Sequence, residues 1–340
     1  MSTQPTLDAQ KLDNTEYLEL CALVDKVLPP HKSFAPPAYY LKVVVILVAS
    51  FALEGYMHYH ASYPWYLTAA LGFFYAMIGM NIQHDANHGS ISRNPWVNRV
   101  LGWSQNWIGG SALDWVHQHV VQHHLFTNEV HHDPDIAGSD ILRLNPLKPL
   151  HWPQALQHAY FFVLILFFGH IMVLASFWHL VEGVQFTRFP KTFEPLRMAE
   201  GGASLLFFAR WFVLPLVLRP AWSTALGVLP LFAVGGYYLA FFFIISHNFD
   251  GVHMYDRTAV ATGEASGGHA YGSFLRRQVA TSCNVGGAWL AVLNGGLNYQ
   301  IEHHLFPRVQ HSHYATIAPV VREFCRAKGI PYKHFPTVGT

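Results

Sequence analysis

Charge is scarce in this chain. Asp, Glu, Lys and Arg together make up 12% of its 340 residues, against about 25% in ordinary soluble domains. The formal net charge is +1 and no basic stripe appears, which excludes a nucleic-acid partner. Cysteine is almost absent. Cys21, Cys283 and Cys325 lie far apart, offer neither a disulfide framework nor metal-ligand spacing, and point to a reducing compartment. Residues 1–35 are polar, mixed in charge and broken by Pro29-Pro30. They lack the basic start and short apolar stretch of a targeting peptide, and read as a cytoplasmic segment ahead of one domain over 36–340. No internal repeat or low-complexity tract is present. Gly286-Gly287 and Gly295-Gly296 follow no strand, so they do not read as a nucleotide loop and fit close helix packing instead.

Hydrophobic residues are abundant, at 51%, and aromatics reach 15%. They gather in five apolar segments, 41–57, 65–82, 160–181, 205–218 and 222–246. A helix needs about 20 apolar residues to span a bilayer. Segment 41–57 sits at the lower edge, and 205–218 is short and interrupted by Arg210. The Lys and Arg residues of the amino-terminal region and of the 182–202 loop favour the cytoplasmic side. The expectation is an all-α integral membrane protein. Four transmembrane helices carry a cytoplasmic histidine-rich metal-binding cap, and 160–181 lies along or re-enters the membrane. The opposite choice, with 160–181 spanning and 205–218 not, remains open.

Histidine is over-supplied, at 23 residues against 21 Lys plus Arg. His84 and His88 are spaced i, i+4. So are His119 and His123, with His124 adjacent. Gln300, His303 and His304 stand at i, i+3 and i+4. On a helix each set shares a face, and imidazole is the commonest side-chain metal ligand. One such pair reads more naturally as ordinary interior or surface histidine. Three clusters in one apolar chain read as a metal centre at a membrane. Both upstream clusters lie between the second and third apolar segments and the last follows the fifth, so an even number of crossings must separate them. His247, at the end of 222–246, reads on its own as either an interface residue or a ligand. Level with the clusters it becomes the natural extra ligand. The donor set is then His84, His88, His119, His123, His124, His247, Gln300, His303 and His304, enough for two ions with four or five protein ligands each.

Other residues read less sharply. Asp85 and Glu302 are either acceptors that orient ligand imidazoles or solvated helix charges. His131 and His132 read as surface residues. His117 competes with His119, but the i, i+4 spacing to His123 favours His119.

The three boxes resemble those of the membrane fatty acid desaturases, and more narrowly the front-end acyl desaturases. His84-Asp85-Ala86-Asn87-His88 matches their first box, the stretch from His119 to Asn128 the second, and Gln300-Ile301-Glu302-His303-His304 the glutamine-headed third. The resemblance covers about residues 40–325. It implies two iron ions, dioxygen as co-substrate, and hydrogen removal from an unactivated methylene to leave a cis double bond. The substrate would be an acyl lipid or acyl-CoA. The His-Pro-Gly-Gly haem motif of a fused cytochrome b5 is not found, so electrons are expected from a separate cytochrome b5 or ferredoxin. The membrane would be the endoplasmic reticulum in a eukaryote and the cell or thylakoid membrane in a bacterium. Rival readings are a lipid hydroxylase on the same scaffold, a bis-histidine haem electron carrier, and a scaffold with one structural zinc. The haem reading needs facing histidines within spans. The zinc reading needs only four ligands.

Overall fold

Prolines and short polar loops cut the chain into helices. The computed structural model describes residues 7–136, 141–257 and 273–337. α1 is Leu7–Val27. Five further helical runs are long and apolar enough to cross a bilayer: α2 (Pro30–Tyr59), α3 (Trp65–Asn87), α4 (Trp152–Glu182), α5 (Lys191–Leu218) and α6 (Trp222–His247). Among the shorter helices that follow are α7 (Phe274–Ala280), α8 (Gln300–Leu305) and α9 (Tyr314–Ala327). The described strands are two short pairs. β1 (Val184–Gln185) runs antiparallel to β2 (Thr187–Arg188), and β3 (Asn284–Val285) runs parallel to β4 (His334–Phe335).

The sequence reading of 205–218 as a short segment is corrected here. The helix begins at Lys191, with Pro195 in an early turn, and runs for 28 residues. Its interrupting charge is neutralised. Arg210 donates from Nε to Glu54 Oε1 at 2.8 Å and from Nη2 to Tyr75 Oη at 2.9 Å. Tyr75 in turn donates to Glu54 Oε2 at 2.9 Å, and the guanidinium lies 3.6 Å from the Trp107 ring centroid. A charge in an apolar span is tolerated when it is paired in this way.

The chain divides into two compact units. One comprises residues up to Ala35, Gln122–Gln157 and those from Phe243 onward. The other comprises Pro36–Val121 and His158–Phe242. In the second unit the apolar helices cross on glycine. A Cβ on Gly72 of α3 would strike the Leu231 carbonyl of α6, and one on Gly236 of α6 would strike the backbone of Gly169 in α4. With lipid as apolar as the side chains, close backbone approach of this kind is what holds membrane helices together.

The first unit has an ordinary hydrophobic core. Leu20 and Val24 of α1 pack with Leu275 and Val279 of α7, Ile301 and Leu305 of α8, and Ile317, Val321 and Phe324 of α9. α8 has six residues, too few to be stable alone. Burial of Ile301 and Leu305 holds it, along with a hydrogen bond from Tyr17 Oη to the Leu305 carbonyl at 2.8 Å. Its remaining face carries Gln300, His303 and His304.

Candidate metal centre

In the second unit, α3 does not end as a regular α-helix. It widens to a π-helical turn over Gly79–Gln83 and then presents His84 and His88. Tyr39 Oη donates to the Asn81 carbonyl at 2.7 Å, and Lys42 Nζ to Asn81 Oδ1 at 2.8 Å, fixing that turn. His119 comes from a second π-helical stretch, Val116–His123. π-turns of this kind are frequent at functional sites. Ring nitrogens of His84, His88 and His119 lie within 4.8 Å of one another, and all three side chains are buried. The Trp115 ring stacks on His119 with centroids 4.5 Å apart. Asp85 Oδ1 is 3.9 Å from His84 Nδ1, which is beyond hydrogen-bonding distance.

In the first unit, ring nitrogens of His123, His247 and His304 also gather within 4.8 Å. His304 Nε2 is 3.2 Å from His247 Nε2, and His124 Nε2 is 3.1 Å from His303 Nε2. The Gln300 amide nitrogen lies 2.8 Å from His247 Nε2 and 3.3 Å from His304 Nε2. The opposite ring nitrogens of four of these histidines are engaged. His123 Nδ1 meets Asp133 Oδ1 at 3.0 Å, and His247 Nδ1 meets the Thr281 carbonyl at 3.0 Å. His303 Nδ1 meets Tyr314 Oη at 3.1 Å, and His304 Nδ1 meets Gln278 Oε1 at 2.9 Å. Acceptors such as the Asp133 carboxylate, the Thr281 carbonyl and Gln278 Oε1 fix the tautomer that turns the Nε2 lone pair inward, as around bound metals.

These donors fit a metal. Ligand bonds of about 2.1 Å place neighbouring nitrogens roughly 3 Å apart, close to the spacings seen. Gln300 Oε1 is buried with no hydrogen-bond partner among the described residues. Rotating that amide, whose O and N are interchangeable in shape, would aim the oxygen at the point where the imidazoles converge. Burial alone would lower the His123 pKa, but the Asp133 and Asp135 carboxylates overcome it and raise it to about 9. Burial pushes the Glu302 carboxyl up to about 7, against hydrogen bonds from Asn284 and Tyr332.

All nine residues expected as ligands are buried. Within the second unit His119 lies beside His84 and His88, and within the first His123 lies beside His247 and His304. His303 Nε2 meets His124 Nε2, and Gln300 and His304, spaced i, i+4, both face His247. Glu302 orients no imidazole. It accepts from Asn284 Nδ2 at 2.7 Å and Tyr332 Oη at 2.8 Å. His131 and His132 are exposed, and His117 turns to Thr187 Oγ1 at 2.8 Å. Asp133, Gln278, Thr281 and Tyr314 were not singled out from the sequence. Only the proximity of Asp133 to the second box hinted at any of them.

Buried polyhistidine sites able to hold metal, in a helical membrane protein, define the class. The sequence pattern of the fatty acid desaturase family matches residues 59–336. The chain is 45% identical to the acyl-lipid (7-3)-desaturase of Diacronema lutheri over 336 residues, covering 96% of this chain and 72% of the relative. It is 44% identical to the acyl-lipid (7-3)-desaturase of Rebecca salina, with 95% and 71% covered. It is 29% identical to the sn-1 linoleoyl-lipid 6-desaturase of a Synechocystis species, with 88% and 84% covered. The chain therefore belongs to the fatty acid desaturase family. It is an oxidoreductase of fatty acyl chains.

Proposed function

We propose that this enzyme is an oxygen-dependent di-iron desaturase of the front-end type, acting on polyunsaturated chains held as acyl lipids. The (7-3) specificity of the Diacronema and Rebecca relatives is the first to test. The supporting observation is the set of buried, converging imidazoles, four of which, His123, His247, His303 and His304, are held from behind by a buried partner. One iron would bind at His84, His88 and His119. The other would bind at His123, His247 and His304, with Gln300 beside it. His124 and His303 complete the donor set. Bound iron supplies the oxidising power, so that dioxygen, two electrons and two protons take two hydrogens from the chain and leave as two waters. The protein's share is to keep nine donors in place and water out, since all nine side chains are buried. The electrons come from a cytochrome b5 or a ferredoxin. The sites face the cytoplasm, with four of the five apolar helices crossing and α4 lying along the membrane.

The test is expression in a yeast fed several polyunsaturated acids, with product analysis by gas chromatography and mass spectrometry. A new cis double bond on the carboxyl side of existing ones is expected. A hydroxylated product instead would move the assignment to a lipid hydroxylase. Elemental analysis of the purified protein should give about two irons per chain. One zinc with no capacity for iron would refute the di-iron reading.

A further inference from the structure

A recess of about 590 Å³ opens in the first unit, lined by Gly286, Gly287, Arg322, Tyr332, His334 and Pro336. Among the described residues that line it none is acidic. Arg322 is preset: Nη2 donates to His334 Nδ1 at 2.6 Å, and the guanidinium lies 5.4 Å from the Tyr332 ring centroid. His334 is held in turn by a bond from Nε2 to the Gly286 carbonyl at 2.7 Å. Guanidinium has five N–H donors, and the bond to His334 uses one. The two glycines leave the opposite wall bare, and a Cβ on Gly287 would meet nothing within 4 Å.

The recess lies beside the end of an apolar helix. Its β3 side is fastened to the last turn of the apolar α6. Cys283 N donates to the Ser246 carbonyl at 3.2 Å, and Ser246 Oγ donates to the Leu297 carbonyl at 3.3 Å. On its β4 side Phe335 meets Phe249, two residues past α6, edge to face with centroids 5.8 Å apart. Immediately beyond Gly287, Trp289 and Val292 are 73% and 55% exposed. An exposed tryptophan flanking, in sequence, the wall of a cationic recess is the composition of a lipid interface.

We propose that this recess holds the phosphate of a lipid headgroup. Arg322 binds the anion, and Trp289 and Val292 enter the bilayer boundary beside it. The wall of the recess also reaches the metal-binding helix. Tyr332 Oη donates to Glu302 Oε1 at 2.8 Å, and Glu302 sits on α8 between Gln300 and His303. A headgroup anchored here would fix how far along the acyl chain the reacting methylene lies. The inference deepens the acyl-lipid reading above and rests on it only for the identity of the bound lipid as substrate.

The test is equilibrium binding of radiolabelled dioctanoylphosphatidate to the purified full chain in detergent, with unlabelled dioctanoylglycerol and inorganic phosphate as competitors. Phosphatidate should bind, and neither competitor alone should displace it at equal concentration. Arg322→Gln and Gly287→Glu should each weaken binding about tenfold or more, the range expected for a charged hydrogen bond, and Arg322→Lys should keep part of the affinity. If Arg322→Gln fails to fold, Gly287→Glu decides, because its side chain has open space. Unchanged affinity in either folded variant, or equal displacement by dioctanoylglycerol, overturns the proposal. Displacement by inorganic phosphate at equal concentration assigns the recess to free phosphate and overturns the lipid source. Binding needs no turnover, so product analysis on the same samples tests the desaturase reading separately.

Discussion

Gln300 is the residue on which the narrow assignment turns. It is buried, and its amide nitrogen lies within 3.3 Å of two imidazole nitrogens. An amide is a weaker donor than imidazole. Gln300→Ala should therefore cost less iron than His304→Ala, with losses in metal affinity of about 10–100-fold if glutamine acts from behind the ligands. Gln300→His should lower or abolish activity despite adding a better ligand, because it crowds a site already holding three imidazoles. Iron content and product yield of the three variants, measured together, check this. Full activity in Gln300→Ala would reduce the glutamine to a packing residue. His123 predicts a pH dependence. Its pKa of about 9 in the metal-free protein lies above the ordinary imidazole value near 6.5. The protonated pair with Asp133 stabilises the metal-free fold fully below the ordinary value, and that contribution is lost as pH rises through about 9. Metal must displace this proton, so affinity should climb between about pH 6.5 and 9, by up to tenfold per unit. Asp133→Asn should flatten the climb. Chelator competition across that range measures it, and an identical slope in the variant would show that the carboxylate does not hold the proton.

At the scale of the element, the apolar helices and the three boxes were legible because both rest on local composition and spacing. The π-helical turns that present His84, His88 and His119 leave no mark in residue types. Nor could the acceptors behind the rings be read, because Gln278, Thr281 and Tyr314 reach their histidines through tertiary packing. α5 was underestimated for a related reason. Arg210 looks like a break until Glu54, 156 positions away, is placed beside it. That pair should be costly to split. Glu54→Ala leaves a buried guanidinium uncompensated and should destabilise the protein by about 3–5 kcal/mol, whereas replacing both partners, Glu54→Leu with Arg210→Met, should be nearly neutral. Thermal denaturation in detergent compares them. A single variant as stable as the double would mean that water or lipid headgroups already solvate Arg210.

For the whole molecule, the first unit is stitched from three separate stretches of chain, and the histidine set inside it is drawn from two of them. His123 and His124 come from the middle stretch, and His247, Gln300, His303 and His304 from the last. A chain ending before Gln300 should retain little iron in that unit, even where α6 has already inserted. Iron analysis of a chain truncated after Asn298 checks this, and full iron retention there would contradict the ligand set. The interleaving also imposes an order in time. At roughly 5–20 residues per second on the ribosome, the 181 residues from His123 to His304 take on the order of 10–40 s. For that interval the early imidazoles are in the membrane without their partners, open to any passing copper or zinc. Fidelity of metal loading is thus a matter of biogenesis: the correct ion has to arrive after the last helix, and the cell has to keep the wrong ones away until it does.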